Sequence, residues 1–99
     1  LQDVFMEAIT YDSMDSLLGQ QVTLSDHAEN SVRLTISEVE RTALDGDEWE
    51  AFAVSLEGQD DFRVPQGMYR LTHEAIGSGE LFITAHGPTE YQAVISRKR

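Results

Sequence analysis

The segment Val64-Pro65-Gln66-Gly67-Met68-Tyr69-Arg70-Leu71-Thr72-His73, followed by Leu81-Phe82-Ile83-Thr84 and Tyr91-Gln92-Ala93-Val94-Ile95, constrains the fold more than any other part of this chain. It reads as a tight turn feeding a half-buried strand, with two further strands behind it. Proline presets one backbone dihedral and donates nothing to a ladder, so the chain at Pro65 is a loop or an edge. Glycine tolerates the positive φ that follows proline in many such turns, which assigns Pro65, Gln66 and Gly67 to the turn. Tyr69, Leu71 and His73 then share a face, and Gly77-Ser78-Gly79 is expected to make the next turn. No catalytic side chain falls inside this pattern, which specifies a β scaffold.

The same two-residue period runs through the first half. Val22 and Leu24 alternate with polar neighbours, and Ser25 to Ser31 is a polar turn. Val32, Leu34 and Ile36 alternate with Arg33, Thr35 and Ser37, a half-buried strand. Val39 falls out of phase with them, which predicts a bulge or strand end near Ser37-Glu38. Asp45-Gly46-Asp47 marks a loop, and Phe52, Val54 and Leu56 give another alternating strand, with Glu50 in the same phase. Ahead of these strands, Ile9 to Gly19 reads as a short helix. Thr10 or Asp12 can cap its first amides, and Gly19 supplies a left-handed stop. Met14, Leu17 and Leu18 are expected on one buried face. Two turns of helix do not persist alone in water, so this one must pack on the sheet. The fold class is therefore all-β, mainly antiparallel: a compact six-strand barrel or sandwich with one short N-terminal helix. The single β domain spans 9–97, with a flexible arm at 1–8 and a basic tail at 98–99.

Composition bounds the function. A chain of 99 residues with 40% apolar side chains supports one core without staples, and it has no cysteine for disulfides, thiolate zinc sites or a thiol nucleophile. No apolar run reaches the roughly 18 residues of a membrane helix. Leu1 to Thr10 lacks the basic start of a signal peptide, so the expected location is cytoplasm or an assembled particle. Eighteen acids against seven bases give a formal net charge of −11. Three of those bases are Arg97, Lys98 and Arg99, which leaves 18 acids against 4 bases in residues 1–96. Such a field repels nucleic-acid phosphates and anionic lipids and favours a protein partner, one with a basic surface in particular.

Little in the chain resembles a reactive constellation. His27, His73 and His86 are isolated in sequence, without ligand spacing or a partnered nucleophile. Phosphate-binding loops, dinucleotide fingerprints and nucleophile elbows are absent, so neither an enzyme nor a cofactor is expected. The run Asp45-Gly46-Asp47-Glu48-Trp49-Glu50 is the nearest approach to a cation site, but its spacing fails the EF-hand loop, and an acidic hairpin tip is the expectation. Phe62 and Val64 are apolar residues in an otherwise acidic loop with Asp60 and Asp61. Either they fold back onto the core as a lid or they form an anchor rimmed by polar groups. Trp49 beside the acidic tip invites the same pair of readings. The candidate interaction residues are thus Phe62, Val64, Trp49, Asp60 and Asp61.

A wider set of residues carries a family resemblance. Leu17-Leu18-Gly19-Gln20, Phe52-Ala53-Val54-Ser55-Leu56-Glu57-Gly58, Pro65 to His73, Ile76-Gly77, Leu81-Phe82-Ile83 and Tyr91-Gln92-Ala93-Val94 together resemble a small bacterial and phage all-β family of unknown function. Its marks are an LLGQ-like start, an F-x-L-x-F-x-G strand, a QG-x-Y-x-L-x-H turn and strand, an LF strand and a Y-x-AV end. The chain departs from that pattern at Gln59-Asp60-Asp61-Phe62-Arg63 and around Thr84-Ala85-His86, both in expected loops. The resemblance implies no activity; it implies company with phage-tail-like proteins. Three readings of function follow: a structural or assembly module of a phage-tail-like particle, an acidic inhibitor or nucleic-acid mimic in a basic protein groove, and a calcium- or small-ligand-binding β module.

Overall fold

A computed structural model describes residues 9–98 of the chain, so the expected arm at 1–8 and Arg99 lie outside the described residues. One short helix, α1 (Tyr11–Asp15), precedes six strands: β1 (Gln21–Ser25), β2 (Ser31–Arg41), β3 (Trp49–Glu57), β4 (Gly67–His73), β5 (Gly77–Ala85) and β6 (Glu90–Lys98). They close into a barrel in the order β1-β2-β3-β6-β5-β4, with β4 returning to β1 and every pairing antiparallel. Of the two architectures open to the sequence, closure wins, and it leaves no strand at a sheet edge along its whole length. The inward phase supplies the core: Val22, Leu24, Leu34, Ile36, Phe52, Val54, Leu56, Leu71, Leu81, Ile83, Tyr91, Ala93 and Ile95 are all buried.

The predicted bulge is present. Ile36 pairs with Leu56 and Glu38 with Ser55, so Ser37 is the extra residue on β2. Its hydroxyl donates to the Ser55 carbonyl at 3.2 Å. The insertion returns Val39 to the interior beside Ile36, which is why its phase looked wrong by a strict alternation.

Four of the connections between strands are hairpins, and one is a crossover. Residues 58–66 carry the chain from β3 to β4 over the upper end of the barrel, where the β1–β2 and β5–β6 turns also lie. Val64 is buried there, and its N–H donates to the hydroxyl of buried Tyr91 at 3.1 Å. Phe62 packs on the core; a Cβ added to Gly58 would lie 2.9 Å from both its ring and Leu34. These two residues are the lid of the barrel.

The helix closes the lower end. Thr10 and Ser13 form a reciprocal capping box, with Thr10 Oγ1 accepting from the Ser13 amide at 3.0 Å and Ser13 Oγ from the Thr10 amide at 2.9 Å. Ile9, Met14 and Leu17 are buried, whereas Leu18, expected on the same face, is exposed. The regular helix ends at Asp15, so Leu18 lies in the turn beyond it and points away from Met14. Gly19 adopts the expected positive φ of 83°. Its amide donates to the Ile36 carbonyl at 2.8 Å, which delivers the chain into β1. The Tyr11 ring meets Phe52 edge-on at 6.2 Å, and the Arg41 guanidinium lies 4.1 Å above it.

Two turn assignments need correction. Gly67 is the first residue of β4 and does not have a positive φ; the Pro65–Gln66 corner is instead held by the Tyr69 hydroxyl, which donates to the Pro65 carbonyl. The β4–β5 turn is 74–76, closed by the Ile76 amide on the His73 carbonyl at 3.1 Å. Gly77, with φ 77°, begins β5, and Ser78 and Gly79 belong to that strand. At the far end β6 runs through Arg97 to Lys98, which lies opposite Trp49, so Lys98 is strand where a tail was expected.

Candidate contact surface

The residues singled out in the sequence do not come together. Phe62, Val64, Asp60 and Asp61 belong to the upper crossover, and Trp49 begins β3 at the lower end. Val64 is buried and Phe62 half-buried against the core, so the anchor reading gives way to the lid. Asp60 and Asp61 are exposed, and the Arg63 guanidinium beside them donates to the carbonyls of Asp60 (3.2 Å) and Phe62 (3.0 Å). Trp49 is 38% exposed, and its carbonyl accepts from the Gly46 amide at 2.8 Å.

The acidic run 45–50 is organised by the chain's own donors. Asp45 accepts from Arg41 at 3.3 Å and from the Ala51 amide at 2.9 Å. Glu50 accepts from Arg97 at 2.8 Å and from the Tyr11 amide at 3.2 Å, which ties helix, β3 and β6 together at the lower end. Among the described residues no group of three or more His, Cys, Asp or Glu is placed to hold a metal ion. The histidines stay apart: His73 Nδ1 accepts from the Ala75 amide at 2.9 Å, which leaves Nε2 to donate to Gln20 Oε1 at 3.1 Å. His86 meets Thr84 Oγ1 at 2.9 Å, and His27 lies in the β1–β2 turn.

That turn carries the clearest electrostatic signature. The Asp26 carboxylate accepts from the side chain of Asn30 and from the amides of Asn30 and Ala28, and these bonds hold its pKa below the ordinary 3.8. Burial pushes the Tyr69 phenol above its ordinary value, with the charge of Asp26 adding to the shift. Open depressions of about 380 and 440 Å³ flank β1 on the outside, meeting at Thr23, with Arg70 lining one and Arg33 the other.

A surface that the sequence reading missed lies on the outer face of β4, β5 and β6. Met68 pairs directly with Phe82, and the register of β5 on β6 ends at Ile83–Ala93, one step before Phe82 and Val94. Met68 and Phe82 thus form a row that the outward Val94 extends by position on the next strand, and the three are 47%, 48% and 60% exposed. The row crosses the seam where β5 and β6 part, since β6 beyond Ala93 continues to pair with β3 alone. Its rim is mostly neutral: Thr84, Gln92, Ser96 and Gln66, with Arg70 and Glu80 at one side. The other exposed acids are spread over α1, β2, the crossover, the turns, the end of β3 (Glu57) and the start of β6 (Glu90). A signal was available, because Met68, Phe82 and Val94 occupy the phase that the inward set leaves for polar residues. Inside Leu81-Phe82-Ile83 and Val94-Ile95, however, a continuous apolar run conceals which member faces out.

A closed, acidic six-strand barrel with an apolar row on its outer face defines the class of domain. The chain belongs to the DUF6916 family, a domain of unknown function, whose match covers residues 9–95. No curated protein and no solved structure matches it. Among the described residues no helix is long and apolar enough to cross a membrane.

Proposed function

We propose that this domain is a non-enzymatic structural module that takes part in a protein assembly through the outer face of β4, β5 and β6. The Met68–Phe82–Val94 row carries the reading. Single exposed apolar side chains are ordinary on any protein surface. Met68 and Phe82 directly paired, with Val94 one step past the end of the β5–β6 ladder and a rim mostly of amides and hydroxyls, make a patch of the kind that contact surfaces use. The strong acidity of the rest keeps the domain soluble and steers it toward partners of opposite charge. A phage-tail-like particle, the company implied by the family resemblance, is the assembly in which we place it.

The test is capture of the proteins encoded beside its gene by the tagged domain, with Phe82→Glu as the comparison. The side chain at position 82 points outward in both, so the circular dichroism spectrum of the variant is expected to match the parent. The parent is expected to retain at least one tail-type neighbour and the variant to lose it. Retention of none, or equal retention by both, sinks the reading.

A further inference from the structure

The rim of the apolar row holds a pair of charges that the domain itself leaves unmade. Arg70 and Glu80 are directly opposed cross-strand partners on the outer face, one row below Met68 and Phe82. In an antiparallel ladder such a pair is within easy reach of a salt bridge. Yet the ion pairs seen among the described residues are Arg41–Asp45 and Arg97–Glu50, and neither Arg70 nor Glu80 takes part. In a chain with eighteen acids and seven bases, a guanidinium left open beside an apolar patch is a specific feature.

We propose that this face is a self-complementary interface and that its partner is a second copy of the chain. The proposal rests on the reading of the face as a contact surface and names its occupant. A two-fold axis parallel to the strands, running between β4 and β5, lays each of these strands over the other strand of the second copy. It sets Met68 of one copy on Phe82 of the second and Phe82 on Met68. The same operation brings Arg70 of one copy to Glu80 of the other, twice. Isologous contacts require this reciprocity, in which residue i meets j and j meets i. Val94 flanks the contact beyond Phe82. The location also answers the electrostatic objection to pairing two chains of net charge −11. The contact centres on Met68 and Phe82, with one acid and one base beside them. The other charges in the outward phase of these strands, Glu90 and Lys98, lie at the two ends of β6. At physiological salt the remaining carboxylates are screened beyond about 8 Å.

Sedimentation equilibrium on the purified chain, over a concentration series at physiological salt, tests this directly. The parent is expected to move from monomer toward dimer as concentration rises. Phe82→Glu is expected to stay monomeric with an unchanged circular dichroism spectrum. Arg70→Glu and Glu80→Arg are each expected to weaken association about tenfold, since each reversal opposes like charges twice. The combined Arg70→Glu, Glu80→Arg chain restores both pairs and is expected to recover parental association. A parent that remains monomeric throughout overturns the proposal, and so does a combined variant no tighter than either single one. If the parent is monomeric while Phe82→Glu still loses a neighbour-encoded protein, the contact surface stands and the second copy falls. If the parent is monomeric and Phe82→Glu loses nothing, both fall.

Discussion

In the β1–β2 turn, Asp26 and Glu29 act on stability in opposite directions. Asp26 organises the turn through its bonds to Ala28 and Asn30, while the Glu29 amide closes it on the Asp26 carbonyl at 3.3 Å. Glu29 does so at φ 67°, the one non-glycine residue with positive φ among the described residues. A Cβ in that region costs about 1 kcal/mol or somewhat more, and glycine removes the cost while adding about 0.5 kcal/mol of unfolded-chain entropy. Glu29→Gly is therefore expected to stabilise the domain by about 0.5 kcal/mol and to raise its melting temperature by a few degrees. Losing an acid from a chain of net charge −11 acts in the same direction, so Glu29→Gln serves as the control. It removes the charge and keeps the strain. Equal melting temperatures for the two variants would show that charge alone was responsible. The stabilising bonds of Asp26 have their own pH range: a carboxylate held below its unfolded value of 3.8 contributes above that value, and the contribution fades as pH falls through the folded one.

Elements were legible wherever one face is buried and the other wet. Val32, Leu34 and Ile36 announced β2, and the displaced phase of Val39 located the bulge at Ser37. The Thr10 cap and the Gly19 stop were readable because each rests on local chemistry, a hydroxyl facing free amides and a glycine free of Cβ. What was not legible is where closure places things. Alternation cannot separate a barrel from a sandwich, and it cannot tell that Phe62 and Val64 close one end while Trp49 sits at the other. Turn glycines were misplaced for a related reason: a glycine beside a corner, such as Gly67 or Gly79, can equally well be the start or interior of a strand, and only long-range pairing decides which one bends. The corrected assignment makes a paired prediction. Gly77 has φ 77°, and a Cβ added there would meet nothing within 4 Å, so Gly77→Ala costs backbone strain alone, about 1 kcal/mol. At Gly67 a Cβ meets Tyr69 Cε2 at an ordinary 3.8 Å and the backbone is extended strand, so Gly67→Val stays within about 0.5 kcal/mol of the parent. Thermal melts of both variants check the pair, and a larger loss at Gly67 than at Gly77 would return the turn to the Pro65–Gly67 corner.

For the whole molecule, two opposing electrostatic effects set how stability responds to salt. Added salt weakens attractive pairs, and it also screens repulsion among carboxylates. The attractive side is small: Arg41–Asp45 has a largely exposed guanidinium, and Arg97–Glu50 is partly exposed, so each contributes well under about 1 kcal/mol after screening. The repulsive side is spread over a compact barrel with a Cα radius of gyration of 12.9 Å carrying a net charge of −11. Across such a body most carboxylates lie farther apart than the Debye length at 0.5 M salt, about 4 Å, but well within the roughly 30 Å of 0.01 M salt. Self-repulsion therefore loses more than the two pairs do. The melting temperature is expected to rise between 0.01 and about 0.5 M sodium chloride, with most of the gain at the low end where the Debye length changes fastest. The measurement belongs on a dilute sample, because the same screening favours association through the Phe82 face and would add a concentration-dependent gain of its own. A melting temperature that falls with salt at low protein concentration would mean that the lower-end network of Tyr11, Arg41, Asp45, Glu50 and Arg97 outweighs the repulsion of all the remaining acids. The docking of the helix, rather than the charge of the barrel, would then govern the stability of the domain.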